Sequence, residues 1–314
     1  MLLLVLRRAA SAVPLLLLVS LGAFSLVALL PGDPAAAIAG EAASPEQVAA
    51  LRQRLGLDEP FVVRYLSWLG NVLSGDLGQS AITGHSITDE VARRAPVTAS
   101  VAVGTLLVVL VLGLPIGLLQ GIYAGRLVDR AGLLTTAVGL GVPNFWLATI
   151  LVGVFAVQLR LLPATGYAPL SEGFGAWAEH IVMPSVTLGV FAAAEVARQL
   201  RTGILHANEQ AYVRTAWAKG MPPRRVIGKH ILKNASAPAI TVLGIRLGHL
   251  LSGAVIVETI FGLPGLGKYA IDAIFNRDFP VIQAIVLVSA AIVLVANLLV
   301  DIVYGALNPK VRIS

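Results

Sequence analysis

Six stretches of the chain are apolar enough, and close enough to twenty residues long, to cross a bilayer as helices. They lie at about 9–30, 97–119, 133–159, 181–197, 238–257 and 280–300. The third is interrupted by GVPNFW, in which Pro143 and Asn144 break helical continuity. A break at membrane depth is tolerated where protein or water surrounds the backbone, so it reads either as a packing kink or as a gate. The first stretch has the outline of a signal peptide, with Arg7 and Arg8 before it and AAAIAG after it. Its apolar run exceeds the 7–15 residues of a signal h-region and ends in LPGDP, so the expectation is a retained spanning helix.

Residues 31–96 do not read as a span. Ser44, Pro45 and Gln47 carry the signature of a capped helix start. Val48, Leu51 and Leu55 follow at helical spacing, and after GLDEP the set Val62, Tyr65, Leu66 and Leu69 repeats the pattern. The expectation is two amphipathic helices forming a small outer subdomain. Their apolar faces either pack on the bundle or dock an external partner, and the two readings are compatible.

Residues 198–237 form the longest loop expected on the cytoplasmic side. Glu209–Lys219 is helix-compatible, Gly220 ends it, Pro222 and Pro223 prevent its continuation, and a second helical stretch follows near 224–234. This region carries eight basic residues and one acid, Glu209. Contact with anionic lipid and a protein-docking surface both fit that charge.

Composition supports a membrane protein. Hydrophobic residues make up 57% of the 314 residues and charged residues 13%, against about 25% charged in a soluble chain. The net charge of +6 comes from basic residues flanking apolar runs, which suits orientation in a membrane better than nucleic-acid binding. With the N-terminus inside, the inner pieces hold fourteen Lys and Arg and the two short outer loops hold three, so both termini are expected in the cytoplasm. There is no cysteine, and the five histidines are widely spaced. Thiol chemistry is thereby excluded, and no metal site is expected.

The run FGLPGLGKYA (261–270) imitates a phosphate-binding loop through Gly262, Gly267 and Lys268. The next position is Tyr269 rather than Ser or Thr, no Walker-B aspartate stands out, and the topology puts the run outside. It reads instead as a turn in which Gly262, Gly265 and Gly267 allow positive φ and Pro264 fixes a bend. Within the fifth stretch, Arg246, His249 and Ser252, with Glu258 near the outer end, are costly in lipid and so are candidates for a translocation pathway or gate, together with Pro143 and Asn144. A helix-locking polar network is the other reading. Gly244 and Gly248 permit close helix packing, and Glu195 and Arg198 are spaced for a local ion pair.

The stretch Tyr212-Val-Arg-Thr-Ala-Trp-Ala-Lys-Gly220 resembles the cytoplasmic EAA loop of bacterial ABC importer permeases. From end to end the chain resembles the dipeptide/oligopeptide/nickel branch of that family, through LPGDP (30–34), LGLDEP (55–60), GDLGQS (75–80), VPNFWL (142–147), ETIFGLPGLGKYAIDAI (258–274), RDFPVIQA (277–284) and NPKVR (308–312). Arg214-Thr215-Ala216 stands where the generic consensus has Glu-Ala-Ala, so a salt bridge from the consensus glutamate does not carry over.

The resemblance implies an all-α integral membrane protein with the six-helix, type I ABC importer permease fold. Its expected parts are 1–30 (N-terminus and first helix), 31–96 (outer helical insert) and 97–314 (five-helix core with coupling loop 198–237). It implies a non-enzymatic permease subunit for di- or oligopeptides, with nickel chelates, glutathione or another small solute as alternative cargo; a membrane-embedded enzyme is the remote alternative, against which no catalytic dyad or metal-ligand cluster recurs at membrane depth. The implied partners are a second homologous permease, two cytoplasmic ABC ATPase subunits or domains, an extracytoplasmic solute-binding protein and membrane lipid, without nucleic acid. This chain is expected to hold no cofactor, with ATP and Mg in the ATPases. The coupling element would be Tyr212, Arg214, Thr215, Ala216, Ala218, Lys219 and Gly220.

Overall fold

The computed structural model describes residues 2–29, 35–36, 43–54 and 56–307. The motifs at 30–34 and 308–312 lie outside them, as do the side chains of Leu51, Leu55, His249 and Ser252. Every regular element among the described residues is helical, apart from one isolated bridge between Gln79 and Ser86.

Helix α1 (Leu2–Leu29) has 28 residues, enough to cross a bilayer core of about 30 Å. The stretch expected as an insert, 31–96, contributes α2 (Pro45–Arg54) and α3 (Phe61–Leu73). The capping box at the start of α2 forms in both directions: the Ser44 amide donates to Gln47 Oε1 and the Gln47 amide to Ser44 Oγ. Helix α4 (Ile87–Val108) starts inside the insert and runs through a π segment, Val109–Gly113, into α5 (Leu114–Ile122). Pro115, at the start of α5, lacks the N–H of a regular ladder, and the wider turns precede it.

Helices α6 (Leu127–Gly141) and α7 (Asn144–Leu151), the latter extended by π turns over Val152–Gln158, replace the third expected span. The two arms are bent by 101°, far beyond a packing kink. Val142 and Pro143 are both extended, with ψ of 120° and 138°. The ring of Pro143 disfavours the helical conformation at Val142, so two consecutive residues leave the helix and redirect it.

Helix α8 (Phe174–Asn208) is the centre of the bundle, in contact with α4, α5, α6, α7 and α10. Small residues permit this. A Cβ on Gly113 would stand 2.8 Å from the Ala193 carbonyl oxygen, and one on Gly117 2.6 Å from that of Ala197. Backbones that meet this closely gain van der Waals contact that lipid cannot supply. Large residues such as Val111 and Leu134 point outward instead, and Ala192, Ala193, Ala197 and Ala239 are buried.

Helix α9 (Ala211–Ala218) is followed by a turn at Pro222 and by one continuous helical rod: Pro223–Arg225, a π segment Val226–Leu232, and α10 (Lys233–Ile260). The second loop helix expected near 224–234 is therefore the base of the fifth span. Gly244 packs on Val300, and Gly248 faces Val293 and Asn297, all on α12 (Phe279–Leu307). Between α10 and α12 lies α11 (Leu266–Phe275). Among the described residues, Ile87–Ile122, Phe174–Asn208 and Phe279–Val300 each suffice by length and composition to cross a membrane, and the bent pair adds a fourth if its two arms form one span.

Candidate functional site

The chemistry divides between the two ends of the bundle. On the α9 side, the C-terminus of α8 turns at Glu209 into α9, whose exposed face carries Tyr212, Arg214, Thr215, Trp217 and Ala218. Lys219 and Gly220 follow, also exposed. Val213 and Ala216 point the other way, into a core with Ile204, Ala207, Val226, Ile231 and Ala235. Ala216, expected on the coupling surface, is 5% exposed and packs into this core, where it holds the helix down.

Gly220 has φ +66°. Its amide donates to the Trp217 carbonyl and the Met221 amide to the Ala216 carbonyl. This pair of bonds is a Schellman cap, which needs a left-handed residue at the position Gly220 fills. Met221 then packs on the same core. Tyr212 is fastened to the base of α10, where Asn234 Nδ2 donates to its hydroxyl at 2.9 Å. Beside it lies a polar recess of ≈ 470 Å³ whose lining includes His206, Gln210, Lys229 and His230.

Nearby, Arg201 on α8 makes a bidentate pair with Asp129 on α6, at 2.7 and 2.9 Å, and the Gly125 amide donates to the same carboxylate. Asp129 is 2% exposed. Sequence reasoning missed this pair: Asp129 and Arg201 are 72 residues apart, and neither sits in a recognisable motif.

Midway along α10, Arg246 pairs with Glu195 of α8 and lies over the Phe191 ring. Glu195 therefore does not pair with Arg198, as its local spacing suggested. Its carboxylate is taken up by α10, and Arg198 is exposed.

At the other end of α10, Glu258 is 0% exposed. The Thr98 hydroxyl of α4 donates to its Oε1 at 2.6 Å, and the Lys268 amide donates to its Oε2 at 2.8 Å. The Leu266 amide donates in turn to Thr98 Oγ1. The glycine-rich run thus builds an anion cradle at the N-terminus of α11, and the anion is the protein's own carboxylate.

The glycines serve this closeness. Only Gly262 has positive φ, at +60°. Gly265 is extended, and Gly267 is helical. A Cβ on Gly265 would lie 2.3 Å from the Glu258 carboxyl, and one on Gly267 2.8 Å from the Val255 backbone. Alongside, Ser80 Oγ and the Ala81 amide donate to buried Asp278, joining the GDLGQS and RDFPVIQA motifs. Glu90 receives Arg93 and Arg94, and Arg94 also covers the Tyr269 ring.

The described pathway candidates consequently fall in three places: the bend at exposed Pro143 and half-buried Asn144, the Arg246–Glu195 pair, and the Glu258 cradle. Twelve residues of α10 separate Arg246 from Glu258, about 18 Å along the helix. Among the described residues no cluster of His, Asp and Glu is arranged for a metal ion.

A polytopic helical bundle that presents a small capped helix on a basic elbow has the architecture of a transport permease. Residues 113–313 match the family described as binding-protein-dependent transport system inner membrane component, and residues 1–102 match the N-terminal family of the same membrane component. The chain belongs to this family. It is 39% identical over 308 residues to a probable peptide ABC transporter permease of Sinorhizobium fredii, with 98% of each chain covered. It is also 39% identical over 313 residues to a putative peptide transport system permease of Brucella abortus, at the same coverage. A glutathione transport system permease of Salmonella typhi is 37% identical over 308 residues, again covering 98% of each chain.

Proposed function

We propose that this chain is the transmembrane permease subunit of an ATP-driven importer and forms half of a translocation pathway for di- and oligopeptides. The observation that carries the reading is the α9 elbow: a short helix, rigidly capped by Gly220 and anchored through Val213 and Ala216, that presents Arg214, Thr215, Ala218 and Lys219 outward. A helix held from behind and open in front transmits force applied to its exposed face. The partners would be two cytoplasmic ATPases holding ATP and Mg, a second related permease and an external solute-binding protein. Both termini would lie in the cytoplasm, and this chain would hydrolyse nothing itself. Peptide cargo is supported by the names of the relatives from Sinorhizobium and Brucella. The relative named for glutathione, itself a short peptide, keeps that cargo as a second reading.

Ala218→Trp tests the elbow because the new side chain grows from the exposed face and leaves the core beneath untouched. ATP-driven peptide uptake in reconstituted vesicles should fall to background, with the amount of inserted protein unchanged. Full uptake by this variant would overturn the assignment of the coupling face.

A further inference from the structure

Helix α3 is apolar on two faces, and only one of them is covered. Phe61, Tyr65 and Trp68 close on Phe24 of α1, with ring centroids 5.4–5.6 Å apart. The Tyr65 hydroxyl bonds Ser20 of α1 at 2.8 Å. Val62, Val63, Leu66 and Leu73 look away from the bundle, at 63%, 48%, 59% and 80% exposure. One charged residue, Arg64, occurs in the thirteen residues of α3, and its guanidinium lies over the Phe24 ring. Helix α2, by contrast, carries Glu46, Arg52 and Arg54 in ten residues.

The depth of α3 can be measured along its neighbours. Ser20 and Phe24 lie twelve and sixteen residues beyond Arg8, about 18 and 24 Å up α1. The hydrocarbon core is about 30 Å thick, so with Arg8 at its cytoplasmic border both contacts fall within the far half of the bilayer. A second ruler agrees. Gln283 donates to the Phe24 carbonyl, and Gln283 is four residues into α12 from Phe279, about 6 Å below the outer end of that helix.

We infer that α3 is an interfacial helix embedded in the outer leaflet, with Val62, Val63, Leu66 and Leu73 against lipid acyl chains and Tyr65 and Trp68 at the level of an aromatic belt. A face with no charged residue of its own, held at this depth, meets lipid before any soluble partner. The neighbouring surface of α1 is already lipid-like, since Leu17, Leu18 and Leu21 are exposed. The outer-leaflet assignment rests on the proposed orientation with cytoplasmic termini; the embedding itself does not.

The chain lacks cysteine, so nitroxide labels can be placed singly at Val62→Cys, Leu66→Cys and Leu73→Cys. Asp58→Cys, in the polar turn before α3, is the aqueous reference. The full chain is reconstituted in nanodiscs of phosphatidylethanolamine and phosphatidylglycerol, and relaxation by oxygen is compared with relaxation by a water-soluble nickel complex. The oxygen-to-nickel ratio at Val62→Cys and Leu66→Cys should exceed that at Asp58→Cys severalfold. A ratio equal to the reference would overturn the proposal, and is what a face reserved for a soluble binding protein would give. In cells, an impermeant maleimide should label Asp58→Cys from outside. Labelling only from the cytoplasm would overturn the outer-leaflet assignment and the orientation together, and the relaxation ratios would still report whether α3 is embedded.

Discussion

Glu258 illustrates how single residues are chosen by what surrounds them. A buried carboxylate loses its hydration, and only directed donors offset that loss. Here the Lys268 amide and the Thr98 hydroxyl supply them, and the helix start behind the amide adds a favourable dipole. Glu258→Ala leaves the Lys268 amide and Thr98 without their acceptor, and should destabilise the chain by about 1–3 kcal/mol. Glu258→Gln keeps one acceptor oxygen and should cost less. Gly267→Ala should also destabilise, by about 1–3 kcal/mol, because its methyl group meets backbone rather than a movable side chain. Tryptophan fluorescence melting of purified variants measures all three; equal melting points for Glu258→Ala and the parent would dismiss the cradle as a structural element.

Helix ends were more legible in the sequence than helix-to-helix contacts. Ser44 with Gln47, Gly220 before two prolines, and the break at Pro143 each announce themselves within a few residues, and each forms an end or a bend in the fold. The degree of the bend did not announce itself: a proline interrupts a ladder, but the angle depends on Val142 also leaving the helix. The Glu195–Arg246 pair, the Asp129–Arg201 pair and the Thr98–Glu258 bond join residues 51, 72 and 160 positions apart. No local pattern encodes such a distance, and Glu195–Arg198 showed how local spacing misleads. The Asp129–Arg201 pair ties α6 to α8 and gives a test between elements. Asp129→Ala leaves Arg201 without its partner in a mostly buried place, and should cost about 3–5 kcal/mol. The double variant Asp129→Ala with Arg201→Leu should recover much of that loss, because the uncompensated charge is gone. A melting point no higher in the double variant than in the single one would show that the two residues act independently.

For the whole molecule, the sidedness of its ends determines what each site can do. The glycine-rich run and the elbow lie at opposite ends of α10, with Glu258 near one end and Lys233 at the other. A helix of 28 residues is about 42 Å long, longer than the hydrocarbon core, so the two sites cannot share a compartment if α10 spans. On the proposed orientation, the Lys and Arg clustered around the elbow would put that end in the cytoplasm, where nucleotide is available, and the cradle, already filled by Glu258, needs none. Two single cysteines test this. Asn276→Cys, on the exposed end of α11, should react with an impermeant maleimide added to intact cells. Thr215→Cys, on the exposed face of α9, should react only after the membrane is opened. The reverse pattern would invert the molecule and detach the elbow from any cytoplasmic ATPase, and reaction of both from outside would mean that α10 does not span.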